Sequence, residues 1–376
     1  MKVVIERNVL LRGLGHVQSV VERRNTIPIL SNVLIEADHS GLKLTATDLD
    51  IEVIETVPAE VGTGGGTTVQ AHLLYDIVRK LPDGAQLELD TGSGEEQLML
   101  RSGRSEFTLQ TLPRDDFPAL SEGEPSHRFK VSASDLKRLV ERTRFAISTE
   151  ETRYYLNGIY LHEATSAGGN GAAATLRTVA TDGHRLAQAE LALPDGASGM
   201  PGVIVPRKCV SELSRLIDEA EGEVDIALSS AKVRFAFAGI RLTSKLIDGT
   251  FPDYERVIPF QNDKEMTVER RSFAEAVDRV ATVSSDRGRA VKLAIDGETL
   301  TLSVNSPDAG TAVEEIAVGY NAEPLQIGFN PRYLLDITSQ LESDEARFFL
   351  SDPGAPTLIR DPADEAALYV LMPMRV

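Results

Sequence analysis

The chain has 376 residues, 42% hydrophobic and 26% charged, with no Trp, which predicts several domains whose cores rest on Leu, Val, Ile and Ala. Its formal charge of −18 and pI near 4.9 argue on totals alone against a nucleic-acid partner. The single cysteine, Cys209, excludes an internal disulfide and any cysteine-rich metal site.

In chain order, VVIERNVLLRGLGHVQSVV (residues 3–21) reads as a short strand, a polar cap and a helix. Lys2, Glu6, Arg7 and Arg12 interrupt any apolar region there, so no signal peptide is expected. No run of about 18 apolar residues follows anywhere, so no membrane-spanning helix is expected. Together with the cysteine usage this predicts a cytoplasmic protein. NVLIEADHSGLKLTATDLDIEVIETV (32–57) alternates as strands, and the glycine run GTGGGTT (62–68) reads as a loop. QAHLLYDIVRKLPDGAQLELD (70–90) reads as helix, turn and strand, with Leu74, Ile77, Val78 and Leu81 forming the helical stripe.

The pattern then recurs. FKVSASDLKRLVERTRFAI (129–147) and MTVERRSFAEAVDRVATV (266–283) repeat the opening strand and helix. VPRKCVSELSRLIDEAEGEVDIAL (205–228) and NPRYLLDITSQLESDEARFFL (330–350) repeat the second helix and strand, with Val210, Leu213, Leu216 and Ile217 as a stripe. VRFAFAGIRLTSKLI (233–247) supplies further strands, and TSAGGNGAAAT (165–175) a flexible hairpin loop. Two short motifs recur at one offset: ATDLD at Ala46 with ATDGH at Ala180, and Phe117-Pro118 with Phe251-Pro252, both 134 residues apart. The third copy is more diverged, with Pro206 and Pro331 separated by 125. The expectation is an α+β chain of three repeated domains, 1–122, 127–254 and 258–376, each with two helices and antiparallel sheets. Linkers are expected near 121–127 and 256–264.

The acidic total hides an uneven distribution. The six helical segments (6–25, 71–82, 134–145, 207–218, 270–289 and 331–341) hold 19 of the 39 Lys and Arg against 11 acids, a net +8, which leaves −26 for the remainder. Helices sharing one face would present that charge to a phosphate backbone. The competing explanation is ordinary helical preference for Arg and Lys, but this does not account for the shortage of Glu in the same segments. No aromatics interleave with the basic residues, and no recognition-helix or zinc spacing occurs, so neither base stacking nor base readout is expected.

One cluster looks catalytic. Asp182 and His184 of ATDGHRLA stand two apart in a strand reading, which puts them on one face as a possible acid–base pair. The first copy keeps Asp48 without a His, which favours a turn role for the Asp. His39, His72, His127 and His162 lack ligand spacing, and no nucleophile elbow, metal helix motif, phosphate loop or dinucleotide fingerprint is present. No catalytic residue, metal or cofactor is therefore expected. A hydrolase or transferase built on Asp182 and His184 and a peptide-binding repeat scaffold without DNA stay open as alternatives.

The threefold duplication together with TIPILSNVLIEA, ATDLDIEV, STEETRYYLNGIYL, ATDGHRLA, LIDGTFPDYERVIP and YVLMPMRV resembles the bacterial DNA sliding clamp family, the beta subunit of DNA polymerase III, over essentially the whole chain. The resemblance implies a DNA-clamp fold forming half of a head-to-tail homodimeric ring, with helices lining the hole and strands outside. It implies a non-catalytic processivity factor, an accessory subunit of a nucleotidyltransferase holoenzyme. Such a ring slides on double-stranded DNA without sequence preference and tethers the polymerase III alpha subunit, the clamp loader and other proteins carrying a clamp-binding motif. By the same resemblance Arg24, Tyr154 and Tyr155 match DNA-contact positions, with Arg79, Lys80, Arg207 and Lys208 as further candidates. Ring closure would engage Phe107 and Leu109 with Thr282 and Val283. A partner-peptide pocket would be lined by Leu156, Thr181, Gly183, His184, Arg185, Leu186, Pro252, Arg256, Val257, Val370, Leu371, Met372, Pro373, Met374 and Arg375. Methionine suits a surface that adapts to several apolar anchors. Pro373 ends any strand ladder, so the closing AALYVLMPMRV is expected to finish as a binding wall and not as a polar tail.

Overall fold

The computed structural model describes residues 1–92, 97–120, 123–165, 173–283, 290–307 and 309–375. Six α-helices appear: α1 (Arg7–Val17), α2 (Ala71–Lys80), α3 (Ala133–Arg144), α4 (Arg207–Ile217), α5 (Arg270–Ala281) and α6 (Pro331–Thr338). Each coincides with an expected helical segment. Their starts follow from local chemistry. Glu6 accepts from the Asn8 and Val9 amides and Glu269 from those of Arg271 and Ser272, while Asn330 accepts from the Arg332 amide with Pro331 in the first turn. Arg287 and Arg289, counted with the fifth basic segment, lie outside the described residues, as does most of the 165–175 hairpin loop. The strands flanking that loop, Gly158–Thr165 and Ala174–Thr181, are antiparallel partners in register from Tyr160↔Val179 to Thr165↔Ala174.

The chain divides into two compact units. The first contains residues 1–136, 194–200 and 208–246; the second contains 137–193, 201–207 and 247–376. This division cuts through the middle copy of the repeat. Its strands His127–Ser132, Glu223–Leu228, Lys232–Phe237 and Ile240–Lys245 join the thirteen-stranded sheet of the first unit, where Ile240 pairs with Glu55 and Ser244 with Ile51. Its strands Gly158–Thr165, Ala174–Thr181, Arg185–Ala192 and Val203–Pro206 join the twelve-stranded sheet of the second, where Arg185–Ala192 lies beside Asp364–Leu371. Ladder hydrogen bonds thus fuse neighbouring copies edge to edge and leave fewer open edges than isolated domains would.

Within the first unit α1 and α2 pack together over the sheet, with Leu10, Leu14, Leu74 and Val78 fully buried. Within the second, α5 and α6 pack together, and Phe273 meets Phe348 at 5.2 Å. Each such buried side chain contributes about 2 kcal/mol.

Two expectations change. The glycine run at 62–68 is not a loop: Gly65–Gln70 is a strand paired with Asn32–Asp38. A Cβ on Gly66 would stand 3.1 Å from the Ile35 carbonyl oxygen, so the glycine permits close backbone approach. The expected linker at 256–264 is anchored. Ile258 is buried, and the Asn262 amide donates to the carbonyls of Phe349 and Pro356, both at 2.8 Å.

Two strands keep a free side. Ser105–Leu112 pairs with Gly65–Gln70 only at Leu112↔Thr68 and Thr111↔Val69, so on that side residues 105–110 have no paired strand among the described residues. In the second unit Gly310–Tyr320 meets Lys264–Glu269 only over residues 318–320, leaving 310–317 open in the same way. Val313, in that stretch, is 66% exposed.

Candidate functional site

The ATDGH motif sits at a hairpin turn between Ala174–Thr181 and Arg185–Ala192, not inside a strand. Gly183 has φ +89° there, a conformation that favours glycine. The Asp182 carboxylate is consumed by the turn: Oδ1 accepts the His184 and Arg185 amides at 2.9 and 3.0 Å, and Oδ2 accepts Arg185 Nε at 3.0 Å. The His184 ring lies instead near Tyr333, 6.3 Å between centroids and 24° between planes. The possible Asp–His pair is therefore an Asx turn, as the Asp48 comparison suggested. Asp48 itself accepts the amides of Asp50 and Ile51.

Strand alternation then sorts the candidate residues onto two faces of the second unit's sheet. Leu186 pairs with Val370, which pairs with Leu358 on its other side. On this face Leu156, Leu186, Leu358, Leu368 and Val370 form one buried apolar cluster with Phe251, Tyr254 and Ile258. Pro252, Arg256 and Val257 stand exposed on the segment that crosses it, and Arg256 is paired to Asp253 at 2.5 Å. Arg185 and Leu371, paired across the ladder, point to the opposite face. Arg185 is only 8% exposed and fully engaged: Nη1 reaches Asp336 at 2.5 Å, Nη2 donates to the Phe145 carbonyl at 2.7 Å, and the guanidinium lies over the Tyr333 ring at 4.4 Å. It anchors α6 and is not a free ligand for a partner's carboxylate. Leu371 is fully buried and likewise leaves the expected lining.

The rim joins the two faces. Thr181 Oγ1 donates to the Arg185 carbonyl at 2.7 Å and accepts the Gly183 amide at 3.1 Å. The Met372 amide donates to the His184 carbonyl at 2.9 Å and the Met374 amide to the Gly328 carbonyl at 2.8 Å. Met372 and Arg375 are exposed, while Pro373 and Met374 are half-buried.

Sequence reading missed Tyr333 and Asp336, which lie in the expected helix NPRYLLDIT but face the turn. It also missed an aromatic column beside the cluster: Tyr160 stacks on Phe251 at 4.8 Å and on His162 at 4.4 Å. His162 is tied to Tyr254. Arg177 Nη1 donates to the Tyr254 hydroxyl at 2.9 Å, that hydroxyl lies 3.0 Å from His162 Nε2, and His162 Nδ1 lies 2.7 Å from the Glu163 carbonyl oxygen. Burial lowers the His162 pKa and raises the Tyr254 hydroxyl to about 12.

The charged candidates divide into free and engaged. In the first unit Arg24 and Lys80 are exposed and make no ion pair among the described residues, whereas Arg79 is paired to Asp76 at 3.0 Å. Lys208 is held by Asp48, and by Glu22 at 3.3 Å. Arg7 is buried, with Nε donating to the Val78 carbonyl at 3.0 Å and Nη1 paired to Asp83 at 2.6 Å, and Arg215 donates to the His16 carbonyl at 2.7 Å. In the second unit Arg207 is exposed without an ion pair among the described residues, Tyr154 is 53% exposed and Tyr155 half-buried. Part of the helical charge excess is therefore structural. Of the closure candidates, Phe107 is half-buried but Leu109 is 7% exposed and belongs to the core. Thr282 and Val283 follow α5, and the Thr282 hydroxyl donates to the Asp278 carbonyl at 3.1 Å. Among the described residues no group of three His, Cys, Asp or Glu is placed to hold a metal, and no helix is long and apolar enough to cross a membrane.

Three family models cover nearly all of the chain: the N-terminal domain of the DNA polymerase III beta subunit at residues 1–121, the central domain at 130–253 and the C-terminal domain at 255–375. The beta sliding clamp of Caulobacter vibrioides is 53% identical over 376 residues, and that of Escherichia coli K12 38% identical over 379, both with all of each chain covered. The structure is similar to that of a Bartonella birtlesii sliding clamp bound to griselimycin, with TM-score 0.96, 54% identity and full coverage of both chains. It is also similar to Caulobacter crescentus pol III beta, with TM-score 0.93 and 53% identity over the whole of both chains. The chain belongs to the DNA polymerase III beta subunit family, the beta sliding clamps, with the family's three repeated DNA-clamp domains and its role as a DNA polymerase processivity factor.

Proposed function

We propose that two copies of this chain close head to tail into a ring that encircles duplex DNA, slides along it and tethers polymerase III and other partners through a peptide pocket. The observation that carries the ring is the pair of open strand edges, residues 105–110 in one unit and 310–317 in the other. An unpaired edge is a liability unless another strand covers it, and these two satisfy each other if the first unit of one chain meets the second unit of its partner. Ring closure makes binding topological, so an acidic chain can stay on DNA through a modest number of phosphate contacts, with Arg24, Lys80 and Arg207 as the candidate cations that make no ion pair among the described residues.

Peptide binding rests on the apolar cluster at Leu156, Leu186 and Val370 with Pro252, Val257 and Met372 exposed around it. Such a surface fits a short segment with apolar anchors, the recognition mode expected of the polymerase alpha subunit and clamp loader. An enzymatic alternative loses its Asp182–His184 pair, because the Asp182 carboxylate is spent on the turn and the His184 ring lies near Tyr333. Sedimentation tests the ring: a species of twice 40.8 kDa at micromolar concentration supports it. A chain that stays monomeric at that concentration overturns it.

A further inference from the structure

We infer that a second cleft on the same sheet face binds the peptide segment flanking the anchored one, through the Gln188 amide and through Arg360, which pairs with a single acidic side chain. The inference rests on the peptide reading of the neighbouring pocket. Leu186 and Gln188 share one face of their strand, opposite Val370 and Leu368 on the next. Two residues along a strand is about 6.6 Å, so the cleft starts one side chain beyond Leu186. Its volume is about 510 Å³. Ile258 and Leu368 are buried in its wall, and Phe260, 58% exposed, stands at the rim.

Gln188 is 6% exposed, and its Oε1 has no hydrogen-bond partner among the described residues. A buried amide oxygen left unpaired is costly and uncommon. An amide side chain offers both acceptor and donor, the complement of a peptide group. Arg177, also in the cleft, is not available: its Nε lies 2.8 Å from Glu190, and its Nη1 lies 2.9 Å from both Tyr254 and Glu255. Arg360 differs, being half-buried with no side-chain hydrogen bond or ion pair among the described residues. A guanidinium in that setting suits a carboxylate. Exposed Glu365 lines the same cleft and opposes a run of acids. The fitting segment therefore carries one acid beside one apolar residue.

The test uses three synthetic peptides: a core with two apolar anchors, and the same core lengthened at either end by four residues containing one Glu and one Leu. Fluorescence anisotropy follows their binding to the full chain and to its Arg360→Gln variant. One lengthened peptide should bind about tenfold tighter than the core, a gain of one charge-assisted contact. Arg360→Gln should abolish that gain and leave core affinity unchanged. The four-residue extension alone, at millimolar concentration, should shift the Gln188 side-chain amide resonance, which belongs to the cleft and not to the neighbouring apolar cluster. Equal affinity of all three peptides, or equal weakening of core and lengthened peptides by Arg360→Gln, overturns the inference. A core that fails to bind overturns the neighbouring pocket instead, and the Gln188 amide resonance then decides the cleft: a shift there supports it, and its absence overturns it.

Discussion

The Met372 amide donates to the His184 carbonyl across 2.9 Å, tying the last described residues to the ATDGH turn. Strand Asp364–Leu371 is already paired on both sides before this bond forms, so the segment beyond it adds a surface more than it adds stability. Deleting residues 372–376 should leave the fold intact, at a cost of about 1–2 kcal/mol for the two lost backbone bonds. Affinity for an apolar-anchored peptide should fall at least about tenfold. Thermal denaturation and anisotropy on the same sample check both halves, and unchanged peptide affinity would remove the terminal segment from the site.

Arg185 was expected to meet a ligand, and its contacts assign it to the scaffold. Arg185→Ala removes the partner of Asp182 and Asp336 in a nearly closed environment, which should cost about 3 kcal/mol. Chemical denaturation checks this. A ligand-contact role predicts instead near-normal stability with lost peptide binding.

Gly183→Ala imposes a left-handed conformation on alanine, and its Cβ would stand 2.5 Å from Arg153 Nη1. Arg153 Nη2 donates to the Asp182 carbonyl at 2.9 Å and Nε to Glu150, so either that guanidinium gives up these bonds or the turn moves. A loss of about 1–2 kcal/mol is expected, with weaker peptide binding, measured by the same two assays.

Much of this was legible beforehand. Capping residues and hydrophobic stripes placed all six helices, and the 134-residue offset exposed the duplication, because both are local or nearly local signals. The glycine strand at Gly65–Gln70 was not legible, since its reason is the Ile35 carbonyl opposite, a contact across the sheet. The roles of Arg185 and Leu371 were missed because alternation is only informative once Arg185–Ala192 is known to be a strand starting at Arg185. Tyr333 and Asp336 reach the site from a third copy of the repeat, and no spacing along the chain connects them to Arg185.

His162 predicts a pH dependence. Burial lowers its pKa in the folded state, so the unfolded chain takes up a proton first as pH falls. Stability should therefore be full above about pH 7 and decline as pH drops through the ordinary histidine range near about 6.5 toward the lower folded value. With Nδ1–H donating to the Glu163 carbonyl and Nε2 accepting from Tyr254, protonation at Nε2 also costs the Tyr254 hydroxyl its acceptor. Denaturation midpoints at pH 7.5 and 5.5 should differ less in His162→Gln than in the unaltered chain.

Arg24 is exposed and makes no ion pair among the described residues, so Arg24→Ala should leave stability unchanged within about 0.5 kcal/mol. It should reduce the salt dependence of DNA association by about one unit of slope if the residue meets a phosphate. Binding titrations between 50 and 200 mM salt, concentrations chosen to span roughly the range where counterion release dominates, measure this.

The ring itself is tested most directly by the topology of the DNA. The protein is loaded by a bacterial clamp loader onto nicked circular duplex, separated from free protein by gel filtration, and the circle is then cut. A closed ring is retained on the circle and released within minutes of linearisation. Equal retention on circular and linear DNA would contradict the ring.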